Sequence, residues 1–115
     1  MSYQGAYAAL EPARAAVDAE PGPVLLEFGA PWCGHCMAAQ PAIQSLLSAL
    51  AGVKHIKIED GRGKPLGRAF RVKLWPTLVL QQSGTELARV VRPVSPADLE
   101  PLRAAMPSAK PAAGS

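Results

Sequence analysis

The sequence predicts a single α/β domain in which a sheet of four strands is covered by helices. Three features carry this reading. Segments of helical and of strand-like patterning alternate along the chain. The apolar run Val24-Leu25-Leu26-Glu27-Phe28 passes through a short loop, Gly29-Ala30-Pro31-Trp32, straight into a long helical pattern. Two more β-type runs lie late in the chain, on either side of a tight-turn signal.

Taken in order, Tyr7, Leu10, Ala13 and Val17 recur at helical spacing and place a first helix over residues 6–19. Pro21-Gly22-Pro23 ends it. Val24–Phe28, bounded by turn residues, reads as a buried strand. From Cys33 a long helix follows, with Ile43, Leu46, Leu47 and Leu50 on one face. Pro41 should kink it, because proline lacks the N–H and clashes one turn back. Val53 to Ile58 alternates apolar and polar residues, which suits a strand with one covered face and Ile56 and Ile58 inward. A loop over residues 60–65 leads to a short helix around Leu66–Phe70. Thr77–Gln81 and Glu86–Val91 read as strands joined at Gln82-Ser83-Gly84-Thr85, a hairpin signal. Ser95-Pro96-Ala97-Asp98 starts a last helix, with proline at its first position and an acid three residues after the cap. Leu99, Leu102 and Met106 give that helix its apolar face. The domain therefore spans residues 1–106, and the small-residue tail 107–115 is expected to be disordered. A further strand ahead of the first helix is disfavoured by Gly5 and Ala6; only Tyr3 and Tyr7 support one.

The totals narrow the function classes. With 115 residues there is room for one core, and a net charge of +3 points to no nucleic-acid or membrane partner. No apolar run approaches the ~20 residues that span a bilayer. The N-terminus has neither a basic n-region nor an apolar h-region, which leads to the expectation of a cytoplasmic protein. The chain has two cysteines. A zinc site takes about four ligands, and His35 and His55 are the only histidines available to join them, so no metal is expected.

The chemistry concentrates in Cys33-Gly34-His35-Cys36. Two intervening residues at a helix start bring the sulfurs together, either as a small-ring disulfide or as two thiols. Unpaired N–H groups and the positive helix end favour thiolate. Cys33, ahead of the helix, should be the exposed nucleophile; Cys36, one turn inside, should resolve the mixed disulfide.

These residues, Trp32-Cys33-Gly34-His35-Cys36 with Pro41 and Trp75-Pro76-Thr77, make the chain resemble the thioredoxin family over residues 6–106. The resemblance implies the thioredoxin fold, an α/β architecture with a central mixed sheet of four to five strands flanked by helices. It maps a cis-proline that presents backbone to substrate onto Pro76. It implies thiol–disulfide exchange with protein dithiols and disulfides, electrons from a reductase or glutathione, no organic cofactor, and a monomer. Departures from the family pattern are His35, where thioredoxin has proline, and Glu27, where it has a buried aspartate. Both resemble the catalytic domains of protein disulfide isomerase, which leaves an oxidase or isomerase direction open beside a reductase. A binding module with incidental redox activity is a further alternative. Arg92 stands where the family usually keeps glycine, and Trp75 where it has a small aliphatic residue.

Each candidate has an expected role. A cationic His35 would stabilise the Cys33 thiolate. Glu27, in an apolar strand, is expected to be buried with a raised pKa and to accept the Cys36 proton, with His55 or Lys57 as the nearby cation. Trp32 should shield the nucleophile and, with Trp75, Pro76 and Arg92, face substrate. Arg92 either folds over the groove, favouring thiolates, or points to solvent. The basic run Arg62, Lys64, Arg68, Arg71 and Lys73 reads as a solvated face.

Overall fold

The structure is a computed structural model and describes residues 3–107. Its elements are α1 (Arg14–Asp18), β1 (Val24–Gly29), α2 (Gly34–Ala49), β2 (Lys54–Glu59), α3 (Pro65–Ala69), β3 (Thr77–Gln82) and β4 (Thr85–Val91). A 3₁₀ turn, Pro96–Leu99, leads into α4 (Glu100–Ala105). The sheet order is β2-β1-β3-β4, with β1 parallel to β2 and the other pairs antiparallel. This is the mixed sheet of the thioredoxin fold, with four strands.

Side chains alternate across the sheet, and the core accordingly divides in two. Leu25, Leu78 and Leu80 pack beneath Ile43 and Leu47 of α2 and Leu102 of α4. On the opposite face Val24, Leu26, Phe28 and Val79 meet Val17 of α1 and Leu66 of α3. Glu27 shares its face with Leu25, so its side chain lies on the α2 side of a central strand. The hairpin turn puts Ser83 at φ 52° and Gly84 at φ 80°, the paired positive values that match strand twist. Asp98 accepts from the Val94 and Ser95 N–H groups at 2.9 and 3.1 Å, as its place after the cap predicts.

The first helix is much shorter than the periodicity over residues 6–19 predicts. Only Arg14–Asp18 is helical, and of the four spaced residues only Val17 is buried; Leu10 is 84% exposed. Pro12 interrupts the stretch, and the residues before it are drawn to the edge of β2, where the Ala8 N–H donates to the Lys57 carbonyl at 2.8 Å. The same segment changes the reading of β2. His55 and Lys57 are buried although polar, so both faces of that strand are covered, while Ile56 is half-buried. Arg62, Arg68, Arg71 and Lys73 are exposed, and Lys64 is half-buried. Of the expected tail, only Pro107 falls within the described residues. No helix among them is long and apolar enough to cross a membrane.

Candidate active site

The site lies where β1 gives way to α2. Cys33 is the N-cap of α2, and its Sγ accepts the Cys36 N–H at 3.2 Å. This is the cap bond usually made by serine or aspartate, here made by sulfur. Both cysteines are free thiols and both are buried, so Cys33 is not the exposed nucleophile that the sequence predicts: its sulfur is turned inward as the helix cap. They form a small cluster with Ala30, against which Trp75 packs. Cys36 lies deeper, and burial pushes its thiol up to about 12; the hydrogen bond to Cys33 and that residue's charge act in the same direction. The Ala30 backbone and the Tyr7 side chain beside it pull the other way.

The rim is aromatic. Trp32 is 71% exposed and meets Trp75 edge-on, with ring centroids 5.3 Å apart. Trp75 Nε1 donates to Asp60 Oδ2 at 2.9 Å, which fixes the second ring. The Trp75–Pro76 peptide is cis, as the resemblance implies. Arg92 neither swings free into solvent nor stands alone. Its Nε donates to the Trp75 carbonyl at 2.8 Å and its backbone N–H to the Pro76 carbonyl, also at 2.8 Å. Arg92 has φ 53°, the left-handed region that favours glycine, and this gives a physical reason for the glycine the family usually keeps there. His35 is exposed in the first turn of α2.

Beneath the cysteines lies a buried polar network. Glu27 is fully buried, and its two oxygens are each taken: Oε1 by His55 Nε2 at 2.9 Å and Oε2 by Gln40 Nε2 at 2.7 Å. The Gln40 amide also donates to the Cys36 carbonyl at 2.8 Å, while its Oε1 accepts from Tyr3 Oη at 2.7 Å and Lys57 Nζ at 3.2 Å. These neighbours settle which way the amide points, since carboxylate and carbonyl only accept and an ammonium only donates. His55 is settled in the same manner. The Gln4 backbone N–H donates to Nδ1 at 2.8 Å, so the ring proton sits on Nε2 and is donated to Glu27.

Of the two residues expected beside Glu27, His55 is the one in contact. Lys57 is the register partner of Glu27 across the parallel pair, yet its ammonium reaches Gln40 Oε1 and the Gly5 carbonyl instead of the carboxylate. The group in contact is His55, as a neutral donor. Glu27 meets Cys36 only through the Gln40 amide. The sequence reading missed Gln40, Tyr3 and Tyr7. One signal for Gln40 was present: it lies on the helix stripe of Cys36, Ile43 and Leu47, where a polar residue needs a buried partner. Among the described residues, no three His, Cys, Asp or Glu side chains converge in a way that could hold a metal ion.

A dithiol at a helix head, flanked by a cis-proline corner and underlain by a buried carboxylate, defines a class of redox-pair α/β domains. The chain belongs to the thioredoxin family: the family model described as Thioredoxin matches residues 9–104. The structure is similar to that of thioredoxin 2 from Pseudomonas aeruginosa in its reduced form, at 51% identity and a TM-score of 0.76, covering 86% of this chain and 93% of that one. A thioredoxin from Chlamydia pneumoniae is 41% identical over 71 residues, 61% of this chain and 69% of its own length. Thioredoxin H2-1 from Oryza sativa subsp. japonica is 31% identical over 68 residues, 59% of this chain and 49% of its own. The chain thus spans about half the length of some of the curated relatives it matches.

Proposed function

We propose that this protein is a thiol–disulfide oxidoreductase that exchanges electrons between its Cys33–Cys36 pair and protein dithiols or disulfides. The observation that carries the reading is the asymmetry of the pair. Cys33 Sγ caps the first turn of α2 and accepts the Cys36 N–H, while Cys36 lies one turn inside, more completely buried, and holds its proton. Cys33 attacks a substrate disulfide, forming a mixed disulfide and releasing the first substrate thiolate. Cys36 then attacks Cys33 Sγ, closing the internal disulfide and releasing the second thiolate. The oxidised pair is returned to the dithiol by a reductase or by glutathione.

In this reading Trp32 and Trp75 form the apolar floor on which a peptide rests, beside the Pro76 backbone. Arg92 occupies one acceptor direction of the Trp75 carbonyl and so narrows how an incoming backbone can pair there. His35, exposed beside the pair, adds positive charge near the Cys33 thiolate when protonated. Glu27 acts on Cys36 through Gln40, which ties the carboxylate to the carbonyl of the resolving residue. The protein works as a monomer in the cytoplasm. The test is insulin reduction with a thiol donor: wild type should precipitate the insulin chains, and Cys33→Ser should not. Equal activity in the two would reject the reading.

A further inference from the structure

We propose that Tyr7 is a catalytic residue of the resolving step: its phenolic O–H donates a hydrogen bond to Cys36 Sγ as that sulfur becomes a thiolate. This deepens the proposed function and rests on it.

Tyr7 comes from the irregular N-terminal segment, far in sequence from the cysteines, yet its hydroxyl and the Cys36 sulfur flank the same glycine and line the same cleft. The meeting depends on Gly29. A Cβ at that position would lie 2.5 Å from Cys36 Sγ and 3.1 Å from Tyr7 Oη, so any side chain there would displace one of the two. The ring is held independently of its hydroxyl, because the Lys57 ammonium lies 4.8 Å from the ring centroid.

The other polar groups near Cys36 are committed elsewhere. Both Glu27 oxygens are engaged, one by His55 and one by the Gln40 amide, which also holds the Cys36 carbonyl. Tyr7 itself is held well above the ordinary phenol range by burial, then by the charges of Cys36 and Glu27. It therefore stays a phenol, with an O–H to donate to a thiolate. Beside it a cleft of about 300 Å³, lined by Gly5, Tyr7, Cys36, Met37, Gln40 and Lys57, opens next to the exposed Met37. The titratable groups facing Cys36 are thus Cys33 from its own helix, Tyr7 from the N-terminal segment, and Glu27 and Lys57 from β1 and β2.

The Cys36 thiol gives its proton to water in the cleft, and the thiolate is stabilised by Tyr7 O–H and Ala30 N–H. Its electron pair attacks Cys33 Sγ of the mixed disulfide. The Cys33–Cys36 bond forms, the bond from Cys33 to substrate breaks, and the substrate sulfur leaves as a thiolate that takes up a proton from water.

Rapid mixing of reduced protein with one equivalent of 5,5′-dithiobis(2-nitrobenzoate) separates the two attacks, since each releases one coloured thiolate. Tyr7→Phe keeps the ring over Lys57 and removes only the hydroxyl. The first phase should be unchanged, which also shows the variant is folded. The second phase should slow about tenfold, the effect of a lost charge-assisted hydrogen bond, and its pH midpoint should rise. A second phase with wild-type rate and midpoint in Tyr7→Phe would overturn the proposal and leave the proposed function standing. A wild-type protein without a second phase would overturn both.

Discussion

Replacing Gln40 by methionine isolates what the buried amide contributes, because methionine keeps the side chain's length and removes its polar end. Four groups lose a partner: Glu27 Oε2, the Cys36 carbonyl, Tyr3 Oη and Lys57 Nζ. Lys57 keeps the Gly5 carbonyl, and Tyr3 is half-buried and able to turn to water. The cost therefore falls on Glu27, a fully buried carboxylate left with His55 alone. Stripping a hydrogen bond from a buried charged acceptor costs about 2–3 kcal/mol. Against a typical domain stability of about 5–15 kcal/mol this is a large fraction. At roughly 4–8 °C per kcal/mol it lowers Tm by about 10–20 °C. Thermal and urea unfolding of the reduced protein measure it, with the urea slope expected to stay unchanged. The double variant Glu27→Gln/Gln40→Met, with no charge at position 27, should recover part of the loss. A loss below about 0.5 kcal/mol in the single variant would refute the argument that Gln40 holds Glu27 in dry surroundings.

Three further outcomes follow from the site. Because Cys36 is raised in the fold from its ordinary 9.0 to about 12, the folded state keeps a proton that the unfolded chain gives up. Stability of the reduced protein is thus full below pH 9 and falls as pH rises through the range 9–12, with a limiting slope of about 1.4 kcal/mol per pH unit. Tyr3 and Tyr7, raised from their ordinary 10.0, act in the same sense at higher pH, so between pH 9 and 10 the slope should be clearly smaller in Cys36→Ala than in wild type; an unchanged slope there would assign it to other groups. His35→Pro should make the pair more reducing in glutathione redox buffers, where each tenfold change in the equilibrium is about 30 mV, and an unmoved potential would remove His35 from thiolate stabilisation. Arg92→Gly relieves a left-handed backbone but loses the bond to the Trp75 carbonyl, so its stability should change by less than about 1 kcal/mol while its rates with peptide disulfides change; a large loss of stability would make Arg92 structural.

Local patterns made most of the fold legible. The apolar run at Val24, the cysteine spacing at a helix head, the Ser83-Gly84 turn and the Ser95–Asp98 cap are each decided within a few residues, and the structure keeps all four. The first helix is shorter than its spacing predicts because Tyr7 keeps that spacing for a different reason: its ring and hydroxyl lie against Lys57 and Cys36, partners on other elements. The polar network was hidden for the same cause. Gln40 meets Tyr3 across 37 residues, and His55 meets Glu27 across 28. Even correct strand register points to Lys57 as the partner of Glu27, since the choice of His55 is made by side-chain reach along the strand.

The N-terminal segment also sets the exchange behaviour of the redox centre. Residues 3–8 belong to no helix or strand, and they are held by a handful of bonds: Tyr3 to Gln40, Gln4 to His55, Gly5 to Lys57 and Ala8 to Lys57, with the Tyr7 ring over the Lys57 ammonium. A stretch tied this sparsely opens at a far smaller free energy than the sheet beneath it. Every such opening releases the resolving sulfur's hydroxyl partner and wets the Glu27 network in the same event. The amides of Gln4 and Ala8 are therefore reporters of the chemistry: their solvent-exchange rates measure how often the dry form of the site is dissolved and rebuilt.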